Sequence, residues 1–191
     1  MARLSREPFE GCKAISYYGL QEIYYLPEVF DFHGFKIDLT PTDEDYIVFL
    51  FVASDEECYG YATGVHGTNQ IHGSTQVAYL QEYTSCKTDK ELVLENKFII
   101  KPAKLKVTSD NAIYVMITDV LETREPYFET PYQIVVADLI KECNLTEGGF
   151  KALRGIFKDE TIEKILGVFH EDKTVAQARV DRYYSGDDCL Y

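Results

Sequence analysis

The chain has 191 residues and carries 32 Asp and Glu against 19 Lys and Arg, a net charge of −13, with 46% hydrophobic residues. That apolar content excludes a disordered chain, and the length is enough to bury one core without disulfides or metal. The acidity argues against direct nucleic-acid binding, which calls for a basic surface.

Met1 to Glu7 carry charges but no apolar stretch, so no signal peptide is expected. The longest apolar run, 46–53, is far shorter than the roughly 20 residues of a membrane span. Cys12, Cys58, Cys86, Cys143 and Cys189 are odd in number and widely spaced, with no Cys-x-x-Cys. They read as free thiols in a reducing compartment. The expectation is a soluble, cytoplasmic protein with no cofactor and no membrane partner.

In chain order, residues 34–39 alternate Phe35, Ile37 and Leu39 with Lys36 and Asp38, the pattern of a half-buried strand. The run 46–53 is continuously apolar between Asp43-Glu44-Asp45 and Asp55-Glu56-Glu57, which reads as a strand buried on both faces. Thr42 and Asp45 also have capping-box spacing, so a helix is the alternative there. Residues 75–84 alternate again. Residues 97–100 and 104–108 follow around Pro102, with Lys104, Lys106 and Thr108 opposite Leu105 and Val107, as on a protected sheet edge. Residues 112–121 are apolar on both faces and read as a central strand.

The last third changes to helical period. Thr130 and Pro131 open a helix with Val136, Leu139, Ile140 and Cys143 on one face. Thr146 caps a second helix with Phe150, Leu153 and Phe157. Asp159 caps a third with Ile162, Ile165, Leu166 and Phe169, and a fourth spans 174–184. The fold expected is α+β: an antiparallel β-barrel or sandwich-like body over about residues 14–122, then a small helical C-terminal bundle. The division falls near 127, with an acidic, aromatic-rich β domain at 1–127 and a helical region at 128–191 that packs on it or serves association.

His66-Gly67-Thr68-Asn69-Gln70-Ile71 is followed at once by His72-Gly73-Ser74-Thr75-Gln76-Val77, a tandem hexad. On one extended strand its histidines would stand about 20 Å apart. In a hairpin they could meet and hold a metal with a carboxylate. The bland reading is a glycine turn with exposed polar groups. His66-Gly67-Thr68 resembles the first motif of ADP-ribosyltransferases. In that family an apolar stretch, a glycine, a tyrosine and a catalytic glutamate follow, whereas here a second His-Gly comes next, and no residue role is carried over. His33 and His170 stand alone, and no nucleophile or phosphate-loop motif is present. Residues 146–169 hold four basic and four acidic groups, which argues against a DNA-binding helix-turn-helix.

Residues 7–86 hold thirteen acidic side chains against two basic ones, a balance of −11. The triplets Asp43, Glu44, Asp45 and Asp55, Glu56, Glu57 lack calcium-loop spacing. Together with Tyr24, Tyr25 and Asp31 they are the candidate partner-binding residues, carboxylates replacing phosphates and rings replacing bases. The function expected is a non-enzymatic acidic protein that occupies a basic surface of a partner, such as the nucleic-acid site of an enzyme. The alternatives are an assembly subunit, for example of a viral particle and with self-association, and an enzyme that uses His66 and His72.

Overall fold

A computed structural model describes residues 4–32, 35–55 and 57–185, without the side chains of 28–32 and 35–39. The chain opens with three short strands, β1 (Leu4–Ser5), β2 (Lys13–Ile15) and β3 (Ile23–Tyr25), which pair antiparallel with β3 in the centre. A hairpin follows, β4 (Glu28–Phe32) with β5 (Phe35–Leu39), the latter where the alternation places it. Helix α1 (Asp43–Phe51), strand β6 (Gly60–Thr63) and helix α2 (Gly64–Gln70) lead into β7 (Gln81–Ser85), β8 (Leu92–Leu94) and β9 (Phe98–Pro102). These last strands form a sheet in the order β6-β7-β9-β8, with β7 and β9 parallel and the other pairs antiparallel. Helices α3 (Ala112–Arg124), α4 (Tyr132–Glu142), α5 (Glu147–Lys151), α6 (Asp159–Phe169) and α7 (Lys173–Ser185) complete the fold.

The protein is therefore mixed α+β with C-terminal helices, but its sheets stay open among the described residues and no barrel closes. Two apolar runs expected as strands are helices. Residues 43–51 form α1 because the capping box is made: the Asp45 N–H donates to Thr42 Oγ1 at 3.1 Å and the Thr42 N–H to Asp45 Oδ2 at 2.9 Å. Asp43, Glu44 and Asp45 then fill its first turn, where carboxylates complement the helix dipole. Tyr46, Ile47, Phe49, Leu50 and Phe51 are buried, so the helix is apolar nearly all round.

Helix α3 misleads in the same way. Val115, Ile117, Val120 and Leu121 are buried because the helix runs between the sheet and the C-terminal helices. Residues 104–108 form no ladder. Instead the Val107 N–H donates to Cys86 Sγ at 3.0 Å, while the lysines stay exposed and Val107 buried, as the alternation implied. Of residues 75–84 only 81–84 join a strand.

The core has two parts on opposite faces of the sheet. Ile23, Tyr46, Ile47, Leu50, Ala62, Tyr83, Phe98 and Ile100 pack under α1. Tyr61, Ile71 and Val107 pack instead with α3, α4, Phe150 and α6. Gly60 lies where β6 passes beneath the end of α1, and a Cβ there would collide with the carbonyl oxygens of Phe51 and Thr84. Loss of the α1 cap in Thr42→Ala should lower stability by about 1 kcal/mol. Removing the fully buried ring in Phe150→Ala should cost about 3–5 kcal/mol. Urea denaturation of each variant checks both values.

Candidate functional site

The first acidic triplet is spent within the fold. Asp43 Oδ2 accepts from Tyr18 Oη at 2.7 Å and from Lys97 Nζ at 2.9 Å. The Lys97 and Tyr18 bonds hold the Asp43 carboxyl below its ordinary pKa. Glu44 accepts from Tyr83 Oη at 3.1 Å and from Gln81 Nε2 at 3.0 Å. Asp45 closes the capping box.

Helix α2 brings His66 to the same place. Its Nε2 lies 4.0 Å from Glu44 Oε1, its ring meets Tyr83 edge-on at 5.1 Å, and Gln70 Nε2 stands 3.1 Å from it. Burial pushes the His66 pKa down while Glu44 pulls it up. Burial, then Glu44, pushes the Tyr83 hydroxyl up. A cavity of about 360 Å³ opens beside Glu44, His66, Asn69, Gln70 and Gln81.

The tandem hexad is neither one strand nor a hairpin. Its first half lies in α2, and His72 follows the helix with a left-handed φ of 60°, beside a separate cavity lined by Ile71, Thr130 and Tyr183. The two histidines line different cavities. Among the described residues no group of three His, Cys, Asp or Glu side chains is placed to hold a metal. His170 is exposed and 3.5 Å from Glu147. His33, Glu56 and Cys189 lie outside the described residues.

The second triplet is differently placed. Asp55 and Glu57 are exposed in the turn between α1 and β6. They line, with Leu4, Arg6, Glu7 and Phe49, a groove of about 430 Å³. Arg6 stacks 5.6 Å from the Tyr59 ring centroid and 6.0 Å from that of Phe49. Lys87 Nζ sits 4.4 Å over the same Tyr59 ring and 3.7 Å from Glu57. Tyr24 is half-buried and donates to Glu22 at 2.8 Å, Tyr25 is buried, and Asp31 pairs in register with Lys36 in the hairpin.

On the far side of the sheet lies a cluster that sequence reasoning missed. Asp119 of α3 is 8% exposed, and its Oδ2 accepts from Thr63 Oγ1 at 2.6 Å. Burial pushes its pKa up, favouring the neutral acid. Tyr61, Thr84, Lys101, Lys104 and Arg124 line a cleft of about 310 Å³ with it. The sequence signal was one carboxylate inside an otherwise apolar run. Such a residue is buried only with a partner, but the partner, Thr63, lies 56 positions away.

No family model matches the chain, and no curated protein or solved structure is significantly similar to it.

His66 should titrate below 6.5 by NMR, and Glu44→Gln should lower it further, because the carboxylate opposes the effect of burial. The folded state thus stays deprotonated to lower pH than the unfolded chain. The His66 contribution to stability is full above about 6.5 and declines as the pH falls below it. His66→Leu should flatten that slope in denaturation measured across this pH range.

Proposed function

We propose that this chain is a non-enzymatic binding protein whose acidic N-terminal surface occupies a basic surface of a partner protein, as an inhibitor or a nucleic-acid mimic. The observation that carries this reading is the groove beside Phe49, with Glu7, Asp55 and Glu57 along it. Glu7, Glu10 and Asp55 are exposed, and among the described residues no ion pair holds them. In the groove lining, Glu7, Asp55 and Glu57 outnumber Arg6, and a negative surface of this kind steers a basic partner into contact.

The chain's own cations show the same pairing next to the groove. Arg6, from the groove lining, and Lys87 lie on the buried Tyr59 ring, Lys87 with the Glu57 carboxylate beside it, and Arg6 also lies over Phe49 of the groove. Cation–π attraction and carboxylate charge together suit arginine and lysine side chains. The proposal rests on Glu7, Asp55 and Glu57 rather than on Asp43, Glu44 and Asp45, whose oxygens hold α1 and its neighbours together.

A fluorescent oligo-arginine peptide serves as the probe, followed by anisotropy. Its affinity for the full chain should fall at least tenfold from low to physiological salt, and Glu7→Lys/Asp55→Lys/Glu57→Lys should abolish it. Undiminished affinity in that triple variant, with an unchanged circular dichroism spectrum, would sink the proposal. Reversal of residues 43–45 is expected to unfold α1 instead, and so reports on stability rather than binding.

A further inference from the structure

The cleft around Asp119 gathers cations in an otherwise acidic chain. Its walls present three cations, Lys101, Lys104 and Arg124, and a single carboxyl, Asp119, whose burial favours the uncharged form. The carboxylates that hold these cations stand behind them. Lys101 Nζ lies 2.5 Å from Glu82 Oε2, Arg124 Nη2 lies 3.3 Å from Glu82 Oε1, and Lys104 Nζ lies 2.9 Å from Glu122 Oε1. The Glu82 and Glu122 side chains are only 12% and 10% exposed, whereas the three cations keep 30–43% of theirs. Each cation is thus anchored from beneath and still has donors left for a ligand. Lysine carries three and arginine five.

The strands explain why the site is built this way. Glu82 and Thr84 alternate with Gln81 and Tyr83 along β7, so the pair that serves the cleft points away from His66. Thr63 at the end of β6 reaches Asp119. Gly64 follows with φ +61°, and any Cβ there would strike the Glu82 carboxylate. The glycine lets the Glu82 anchor approach the backbone.

The deep wall of the cleft is polar. Thr63, Thr84 and Asp119 are buried there, each less than a tenth exposed, beside the Tyr61 hydroxyl. Hydroxyls can both donate and accept, and the Asp119 carboxyl offers acceptor oxygens. Against Glu82 and Glu122 the three cations leave at most one net positive charge, so a phosphate suits the cleft by its three acceptor oxygens, one for each of Lys101, Lys104 and Arg124, as well as by its charge. The volume, about 310 Å³, is that of a small-molecule site rather than a polymer groove.

We propose that this cleft binds a small phosphorylated polyhydroxy compound, with its phosphate on Lys101, Lys104 and Arg124 and its hydroxyls on Thr63, Thr84 and Asp119. Calorimetry of the full chain with ribose 5-phosphate, ribose and inorganic phosphate tests it. Ribose 5-phosphate should bind saturably and more tightly than inorganic phosphate, and ribose should bind weakest. Lys104→Gln/Arg124→Gln should weaken ribose 5-phosphate at least tenfold. Asp119→Asn should weaken it while leaving inorganic phosphate unchanged.

Amide shifts in wild-type protein give a second readout that needs no variant, and they should be confined to residues around 63, 84, 101 and 119. No saturable binding, or shifts elsewhere on the surface, would overturn the proposal. So would inorganic phosphate binding as tightly as the sugar phosphate, since the hydroxyl-lined wall would then contribute nothing. Asp55→Asn, in the separate acidic groove, should leave all three titrations unchanged.

Discussion

Strand β6 is the constraint on which the architecture depends. All four of its residues are buried, and its two central side chains, Tyr61 and Ala62, enter different cores. Ala62 faces α1 and the N-terminal layer, Tyr61 faces α3 and the C-terminal helices, and Gly60 permits the close passage beneath α1. Thr63 then supplies the hydroxyl that satisfies Asp119. A strand this short can organise two layers because both of its faces are packed, with only the Tyr61 and Thr63 side bordering the cleft. Its side chains are small or have a polar end with a partner, so burial on both sides leaves no polar group stranded.

The acidic N-terminal body shows why a charge count is not a map of a surface. Of the carboxylates at 43–45, one completes a capping box, one is gripped by a lysine and a tyrosine, and one is hydrogen-bonded by Tyr83 and Gln81. Their first duty is to the start of α1, where three negative charges are tolerated because the helix end presents unsatisfied N–H groups and a favourable dipole. The exposed carboxylates of the turns, Glu7, Glu10, Asp55 and Glu57, cap no helix, and of these Glu57 is shared with Lys87.

How much of this was legible follows from the range of each signal. Strand β5, the Thr146 cap of α5 and the helices α4 and α6 are legible because alternation, caps and helical period are local. The N-caps of α4 and α6 are nonetheless Pro131 and Lys158, one residue from the Thr130 and Asp159 that the sequence suggests. Helices α1 and α3 were read as strands because both are buried on more than one side. A run without a polar face has no period to report, so length and β-branched content decided wrongly. At 42–45 the capping spacing is the better guide, since two hydrogen bonds from backbone N–H groups to side-chain oxygens outweigh the weak β preference of Ile47 and Val48. The Asp119 cleft was invisible for another reason. Its parts come from β6, β7, β9 and α3, and only the fold brings Thr63, Thr84, Lys101 and Arg124 to one place.

The two surfaces lie on different parts of the structure, one lined mainly by carboxylates and the other by braced cations, which gives them different responses to salt. An acidic groove reached by a basic partner relies on the field of many exposed carboxylates, and that field decays over a Debye length of about 8 Å at physiological ionic strength. The cleft acts against that same field. A phosphate entering it meets a chain of net charge −13 and gains attraction only at close range, from three cations braced by half-hidden carboxylates. Salt screens the distant repulsion more than contacts of a few ångströms in a partly closed site. The bracing therefore matters more than the number of cations: the ion pairs to Glu82 and Glu122 offset the mutual repulsion of Lys101, Lys104 and Arg124 and hold them at the cleft in one geometry.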